Sequence, residues 1–279
     1  MNIKEYYKNI KNQDDPVKFV LSKILIRTKA TKFLTIKHNG YKIKFSETSE
    51  ISRLIWIDKE YTLDAEEFVE DYLKENDVAI DIGANIGLVS FSSSRKVGTG
   101  GKIYSIEPQS TAYQNLLENI ELNQFTNIIP INTALGDRDG KVSFSNLRSD
   151  TMNFIQDEDS EGSIVPITKL DNLGIDDSEI SLIKIDVEGY EKFVLDGGRE
   201  CIKNTLCIYF EAIEKLYNKY GYSCTDIFRM LEDNGFKIFR LIDKCIVPIK
   251  YDSMIEEPNL LAIRNIDDFL NRTNLKIKN

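Results

Sequence analysis

A single histidine, His38, stands in the 279 residues of the chain. Mechanisms that need two imidazoles are thereby excluded, H-E-x-x-H zinc hydrolysis among them, and a Ser-His-Asp triad becomes improbable. His38 itself precedes Asn39-Gly40 and reads as a turn residue rather than a base. The four cysteines, Cys201, Cys207, Cys224 and Cys245, contain no C-x-x-C pair. That argues against a disulfide framework or a Cys-based zinc site and for a reducing, cytoplasmic setting. They read as packing residues. No run of about 18 apolar residues occurs, so no membrane-spanning helix is expected. The opening residues lack the apolar core and cleavage site of a signal peptide. Six prolines and fifteen glycines are too few for a collagen-like or linker-like chain. What is present is the composition of a globular protein, 42% hydrophobic and 29% charged. That is enough apolar surface to offset the ordering entropy of one large domain or two small ones.

Charge is spread unevenly. Residues 1–44 carry eleven Lys/Arg against three acids, a net +8, which leaves −17 for the remainder of a chain whose total is −9. An acidic body disfavours generic binding to nucleic-acid backbones. The basic arm is a separate matter. Asp15-Pro16 is a helix start, with Asp at the N-cap and Pro at the first helical position. The following residues 17–27 mix Phe19, Val20 and Ile24 with Lys23 and Arg27. Two readings follow. The helix packs on the acidic body with its lysines solvated, or it makes a peripheral contact with an anionic membrane or an anionic substrate.

Apolar residues at 33–36 and 41–45 flank the Asn39-Gly40 hairpin signal. Residues 62–73 suit an amphipathic helix. From Asp77 a regular alternation begins. Strands are expected at 78–80, 102–106, 128–131, 182–185 and 206–210, with helices at 86–97, 110–123, 191–202 and 225–234. Two final strands fall at 236–242 and 260–263. Such alternation implies an α/β fold with a parallel sheet covered on both faces, and a closing hairpin would add an antiparallel strand. Residues 137–170 interrupt the alternation with small strands at 142–144 and 164–167 around an acidic loop, 157–161. That is an insertion above the sheet, where specificity usually resides.

The central chemical signal is Asp81-Ile82-Gly83-Ala84-Asn85-Ile86-Gly87, after the first strand of the alternation and before a helix. Gly83 permits a tight turn, Gly87 a close approach, and free N–H groups at the helix start can meet an anionic group. The spacing is neither G-x-G-x-x-G nor a P-loop. Glu107, twenty residues after Gly87 at the end of the next strand, is placed to accept the ribose hydroxyls of a nucleoside cofactor. A third group, Asp186-Val187-Glu188-Gly189-Tyr190-Glu191, follows a central strand at its carboxyl end, where ligands bind in open parallel sheets. Glu211 ends the next strand. Asp186 or Glu188 could take a proton from a hydroxyl, or could hold a cation such as Mg²⁺ that acidifies it. Asp186 could equally cap the following helix, and Glu191 reads as an ordinary first-turn acid.

These residues resemble the FkbM family of S-adenosylmethionine-dependent methyltransferases. The likeness runs in order through D-I-G-A-N-I-G, Ile106-Glu107-Pro108, Leu116 to Asn123 (LLENIELN), Ala134-Leu135-Gly136-Asp137 and Ile183 to Glu191 (IKIDVEGYE). It covers about residues 77–211. The resemblance implies a Rossmann-like class I methyltransferase sheet, mostly parallel, of seven strands with the last antiparallel. A basic N-terminal helical and hairpin extension (1–60) would precede the methyltransferase domain (61–279), the latter carrying the insertion at about 137–170. It implies S-adenosyl-L-methionine as cofactor. Asp81, Gly83, Asn85 and Gly87 would form its loop, Glu107 would hold its ribose, and Thr133 and Ala134 would lie near its adenine. Many related enzymes carry an acid where this chain has Thr133. Asp186, Glu188 and Glu211 would be the catalytic acids, with Asp186 and Glu188 the ligands if Mg²⁺ takes part. The chain has no Asn-Pro-Pro-Tyr, Asp-Pro-Pro-Tyr or Pro-Cys, the patterns similar enzymes use on nucleobases. Nucleic-acid methylation is therefore disfavoured, and the resemblance points instead to a hydroxyl on a sugar, glycan, lipid-linked glycan or related metabolite. Two alternatives stay open: a non-catalytic cofactor-binding or assembly protein on the same fold, and a nicotinamide-dependent oxidoreductase.

Overall fold

The computed structural model describes residues 15–145, 153–156, 162–249 and 259–278. The acidic loop at 157–161 and the lysines Lys4, Lys8 and Lys11 lie outside the described residues. Among the described residues no helix is long and apolar enough to cross a membrane.

The described residues begin with α1 (Pro16–Arg27), whose N-cap Asp15 accepts from the N–H groups of Val17 and Lys18. The hairpin β1 (Thr35–His38) and β2 (Tyr41–Lys44) follows. Asn39 and Gly40 take positive φ at its turn, as the Asn-Gly signal requires. The open edge of β2 is covered by side chains: Lys42 N donates to Asn123 Oδ1 and Lys44 N to Asn119 Oδ1, both at 2.8 Å. Helices α2 (Glu50–Ile57) and α3 (Asp64–Tyr72) then lead into the main sheet.

That sheet has nine strands. Strands β3 (Val78–Ile82), β4 (Lys102–Ile106), β5 (Ile128–Ile131), β10 (Ile180–Ile185) and β11 (Thr205–Glu211) are parallel, in spatial order β5-β4-β3-β10-β11. Every residue of β10 is buried, as expected for a strand covered on both faces. Strand β14 (Asn259–Ile263) lies antiparallel between β11 and β12 (Lys237–Ile242). These are the seven expected strands. Two short ones extend the edge: β13 (Cys245–Pro248), antiparallel to β12, and β15 (Lys276–Ile277). The hairpin joining β12 to β13 turns on Asp243 and Lys244, both at positive φ, so no glycine or asparagine marks it in the sequence.

The insertion builds a separate four-stranded sheet from β6 (Ala134–Leu135), β9 (Ser163–Thr168), β7 (Gly140–Phe144) and β8 (Ile155–Gln156). The helix expected over 191–202 is broken into α6 (Glu191–Asp196) and α7 (Arg199–Lys203). The break falls at Gly197-Gly198. A Cβ on Gly197 would lie 1.9 Å from the carbonyl oxygen of Gly136, so the main chain there passes against the insertion's first turn.

Helix α4 (Leu88–Val97) is buried nearly all round despite four serines. Three of these bond to separate neighbours: Ser90 Oγ to Asp81 Oδ2 (2.6 Å), Ser92 Oγ to Glu66 Oε1 (3.2 Å) and Ser94 Oγ to Asn127 Oδ1 (2.5 Å). Buried hydroxyls need such partners. His38 is not a turn residue. It is the buried last residue of β1, and its Nε2 lies 3.1 Å from both oxygens of the buried Glu66. The turn is made by the two residues after it.

Candidate active site

Strands β3 and β10 are neighbours, while the connections leave them in opposite directions along the sheet. Their carboxyl ends therefore border a crevice. A pocket of about 290 Å³ opens there.

The loop after β3 forms one wall. Gly83, Asn85 and Gly87 have φ of +76°, +51° and +102°, a left-handed region that glycine and, less readily, asparagine adopt. Gly83 has a second reason to be glycine, since its Cβ would fall 1.9 Å from the Asp186 carbonyl oxygen. Gly87 is needed for packing: a Cβ there would meet Phe91 at 2.4 Å and Leu116 at 2.7 Å. The loop is held from behind by α5 (Ser110–Asn123), whose Asn119 Nδ2 donates to Ile86 O (3.2 Å). Since Asn119 Oδ1 also takes the β2 bond, one buried side chain ties the extension to this loop.

Glu107, at the end of β4, accepts from Asn85 N–H (2.9 Å) through one oxygen and from Gln109 N–H (2.8 Å) through the other. Burial pushes its carboxyl up to about 7, against the pull of those two N–H groups. Thr133 Oγ1 donates to the carbonyls of Ala134 (3.0 Å) and Pro166 (3.1 Å). Gly83, Asn85, Glu107, Thr133 and Ala134 all line the pocket. Asp81 and Gly87 are not among its lining residues and stand behind it.

The opposite wall carries Asp186, Glu188 and Glu211. Glu188 sits at φ +54°. Its carboxyl is pushed up to about 7, first by burial and then by Asp186, with Lys219 and Lys184 opposing. Glu211 is also pushed up to about 7, by burial and then by Asp186 and Glu188. Its Oε2 is buried without a hydrogen-bond partner. Two carboxyls titrating near neutrality can exchange a proton with a bound hydroxyl. Glu191 is no ordinary first-turn acid. It is fully buried, and its Oε1 accepts from Val187 N–H (3.2 Å) and Gly189 N–H (3.4 Å), bracing the turn that presents Glu188.

Sequence reasoning passed over Lys184. Its Nζ lies 3.4 Å from Asp81 Oδ1, 3.3 Å from Asp186 Oδ2 and 2.9 Å from Gly83 O. Burial works against its charge, but Asp186 and Asp81 outweigh it and raise the ammonium to about 12. The one cation inside the apolar strand I-S-L-I-K-I was the available signal. With Asp186 engaged by Lys184, the acids do not assemble a metal cage. Among the described residues no group of three or more His, Cys, Asp or Glu is arranged to hold a metal ion, so the arrangement lends no support to the Mg²⁺ that Asp186 and Glu188 would hold if one took part. The pocket also draws on Ile51 from the extension, on Tyr61 and Leu63 just after it, and on Phe144, Asn153 and Ile155 from the insertion.

The family model described as Methyltransferase FkbM domain matches residues 81–238, more than half of the chain. The chain belongs to the FkbM methyltransferase family. This FkbM protein is thus an S-adenosylmethionine-dependent methyltransferase, and the nicotinamide reading is set aside. It is 26% identical over 178 residues to a hexuronic acid methyltransferase, AglP, of Haloferax volcanii, a match covering 60% of this chain and 72% of that one. A shorter match, 42% over 57 residues, is to a tRNA(Phe) (4-demethylwyosine(37)-C(7)) aminocarboxypropyltransferase of Methanocaldococcus jannaschii, covering 20% of this chain and 22% of that one. Among solved structures, methyltransferase FkbM from Methylobacillus flagellatus KT superposes with a TM-score of 0.44 at 15% identity, covering 76% of this chain and 52% of that one.

Proposed function

We infer that this FkbM protein methylates a hydroxyl group of a sugar or glycan. The observation that carries this reading is the pair Glu188 and Glu211, two carboxyls held near neutrality in one pocket at the ends of adjacent strands. The relative whose printed name is a hexuronic acid methyltransferase supports a sugar as the acceptor class.

S-adenosylmethionine supplies an electrophilic methyl group on a cationic sulfonium. The pocket fits such a molecule in its donor set. Each oxygen of Glu107 receives one backbone N–H and keeps a lone pair for a ribose hydroxyl. Gly83 and Asn85 would approach the amino-acid part, with Thr133 and Ala134 at the adenine side. Asp81 and Gly87 act through structure: Asp81 fixes Lys184, and Lys184 in turn grips the Gly83 carbonyl. On the acceptor side the acids offset positive charge, and Glu188 or Glu211 takes the proton from the attacking hydroxyl as it becomes nucleophilic. Holding the two reactants in line supplies much of the acceleration. Ile51 from the extension and Asn153 from the insertion would close the acceptor end, which treats residues 1–60 and 137–170 as its specificity elements.

The test is transfer of an isotopically labelled methyl group from S-adenosylmethionine to a panel of neutral and acidic sugars, with the methylated position read by NMR. Label on carbon or nitrogen, or no transfer to any sugar by a protein that binds the cofactor, rejects the reading.

A further inference from the structure

Seven large hydrophobic side chains stand exposed among the described residues, and four of them, Val17, Leu21, Ile24 and Phe33, lie in or just after α1. Val17, Leu21 and Ile24 are 77%, 41% and 52% exposed. With Val20 they occupy positions i, i+3, i+4 and i+7, one stripe of a helix. The opposite face of α1 is the one that packs. Ser22 is fully buried, Trp56 Nε1 donates to Lys18 O (3.3 Å), and Lys18 Nζ donates to Ile57 O (3.1 Å). The helix is therefore anchored on α2 and turns its apolar stripe outward.

The margin of the stripe is basic. Lys23, Arg27 and Lys29 are exposed. The acid on this helix, Asp15, is used as the N-cap. A second copy of the chain seated symmetrically on this face would bring these cations against their own images, since an isologous contact is self-complementary. An anionic, apolar-centred surface meets both features at once, because apolar side chains enter the acyl boundary while flanking cations meet phosphates. The opposed charges of the arm (+8) and the rest of the chain (−17) would orient the protein, arm toward the surface and body away from it.

We propose that α1 is an interfacial helix that docks the enzyme on an anionic lipid bilayer through Val17, Val20, Leu21 and Ile24, flanked by Lys23, Arg27 and Lys29. Helix α2, on which α1 rests, contributes Ile51 to the pocket wall. Docking would thus hold the acceptor end of the pocket near the surface, suited to an acceptor that is itself carried on a lipid.

The experiment is flotation of the full chain with vesicles of phosphatidylcholine alone or with about 30% phosphatidylglycerol to give a negative surface potential, at two salt concentrations. The sole tryptophan, Trp56, reports on the α1–α2 junction by fluorescence. Three variants accompany the parent: Val17→Ser/Leu21→Ser/Ile24→Ser, Lys23→Gln/Arg27→Gln/Lys29→Gln, and Lys4→Gln/Lys8→Gln/Lys11→Gln. All the residues changed in the first two are exposed, and an unchanged melting temperature verifies their folding. The parent should float with the anionic vesicles, less so at high salt. The serine variant should lose that binding, and the glutamine variant at 23, 27 and 29 should weaken it on the order of a hundredfold, at about fivefold per charge. Four outcomes overturn the proposal: no flotation of the parent; equal flotation of the serine variant; binding that depends only on Lys4, Lys8 and Lys11; or self-association without lipid that the serine variant abolishes. None of these readouts depends on the acceptor's being a sugar.

Discussion

Lys184 is the side chain on which the two walls of the pocket meet, and its removal makes a quantitative prediction. Replacing it with methionine keeps most of the volume and deletes the charge. Asp81, 3% exposed, then retains Ser90 Oγ but loses its cation. An uncompensated buried charge costs about 3–5 kcal/mol. For a chain of this length about 2 °C accompanies each kcal/mol, so the melting temperature should fall by about 6–10 °C. The double variant Lys184→Met/Asp81→Asn removes both charges and should recover more than half of that loss. Differential scanning calorimetry of the four proteins completes the cycle, and S-adenosylhomocysteine affinity is measured on the same samples. The double variant should still bind the product poorly, because the Gly83 carbonyl has lost its donor. A single-variant loss below about 2 °C, or a double variant no more stable than Lys184→Met, would refute the claim that the ion pair carries the site.

Further expectations concern the other acids. Glu188→Gln and Glu211→Gln should differ: the one that removes the proton acceptor should lower kcat by about 10²–10⁴ and abolish the rise of rate through pH 7, while the other retains the rise; two variants at parental rates would remove both from the chemistry. Glu107→Gln should weaken S-adenosylhomocysteine binding about 10–100-fold, read by calorimetry, since a charged acceptor is lost. The carboxyls of Glu107, Glu188 and Glu211 sit at about 7 in the fold against 4.5 ordinarily. Between those values the folded state holds more protons than the unfolded one, so stability should fall as pH rises from 4.5 to 7. Glu211→Gln should flatten that decline in a thermal-melt series on the ligand-free protein, and a Tm that rises over the window contradicts the assignment. Gly197→Ala, whose Cβ would meet the Gly136 carbonyl, should destabilise well beyond Gly221→Ala, which has φ of +76° but open space around its Cβ.

Much of the sheet was legible because its strands are short apolar runs that end in acids, and because Asn39-Gly40 and the D-I-G-A-N-I-G turn carry their own conformational demands. The helix at 110–123 coincides with its expected span. What stayed hidden depended on contacts between distant parts. The Asp243-Lys244 turn lacks the glycine or asparagine of a hairpin signal, and its lysine takes a positive φ that its type does not announce. The break at Gly197-Gly198 follows from the backbone passing Gly136. The partner of His38 is Glu66, twenty-eight residues on. At the site, Gly83, Asn85, Glu107, Asp186, Glu188 and Glu211 could be singled out from their places after strands. Lys184 could not be ranked until Asp81 and Asp186 were seen on either side of it. The contributions of Ile51, Tyr61 and Asn153 required the packing of two segments that carry no motif.

The three bonded serines of α4 bear on how the cofactor loop can respond to its surroundings. Their partners belong to β3, α3 and the turn before β5, so the helix is pinned at three levels along its axis to three independent bodies. A screw motion or a slide of one residue would release every pin together and leave buried hydroxyls without the partners they need. The helix is therefore a fixed datum rather than a spring. Differences in affinity among related chains should then be written in the side chains that face the cofactor, and a crystal with ligand and one without should superpose along α4.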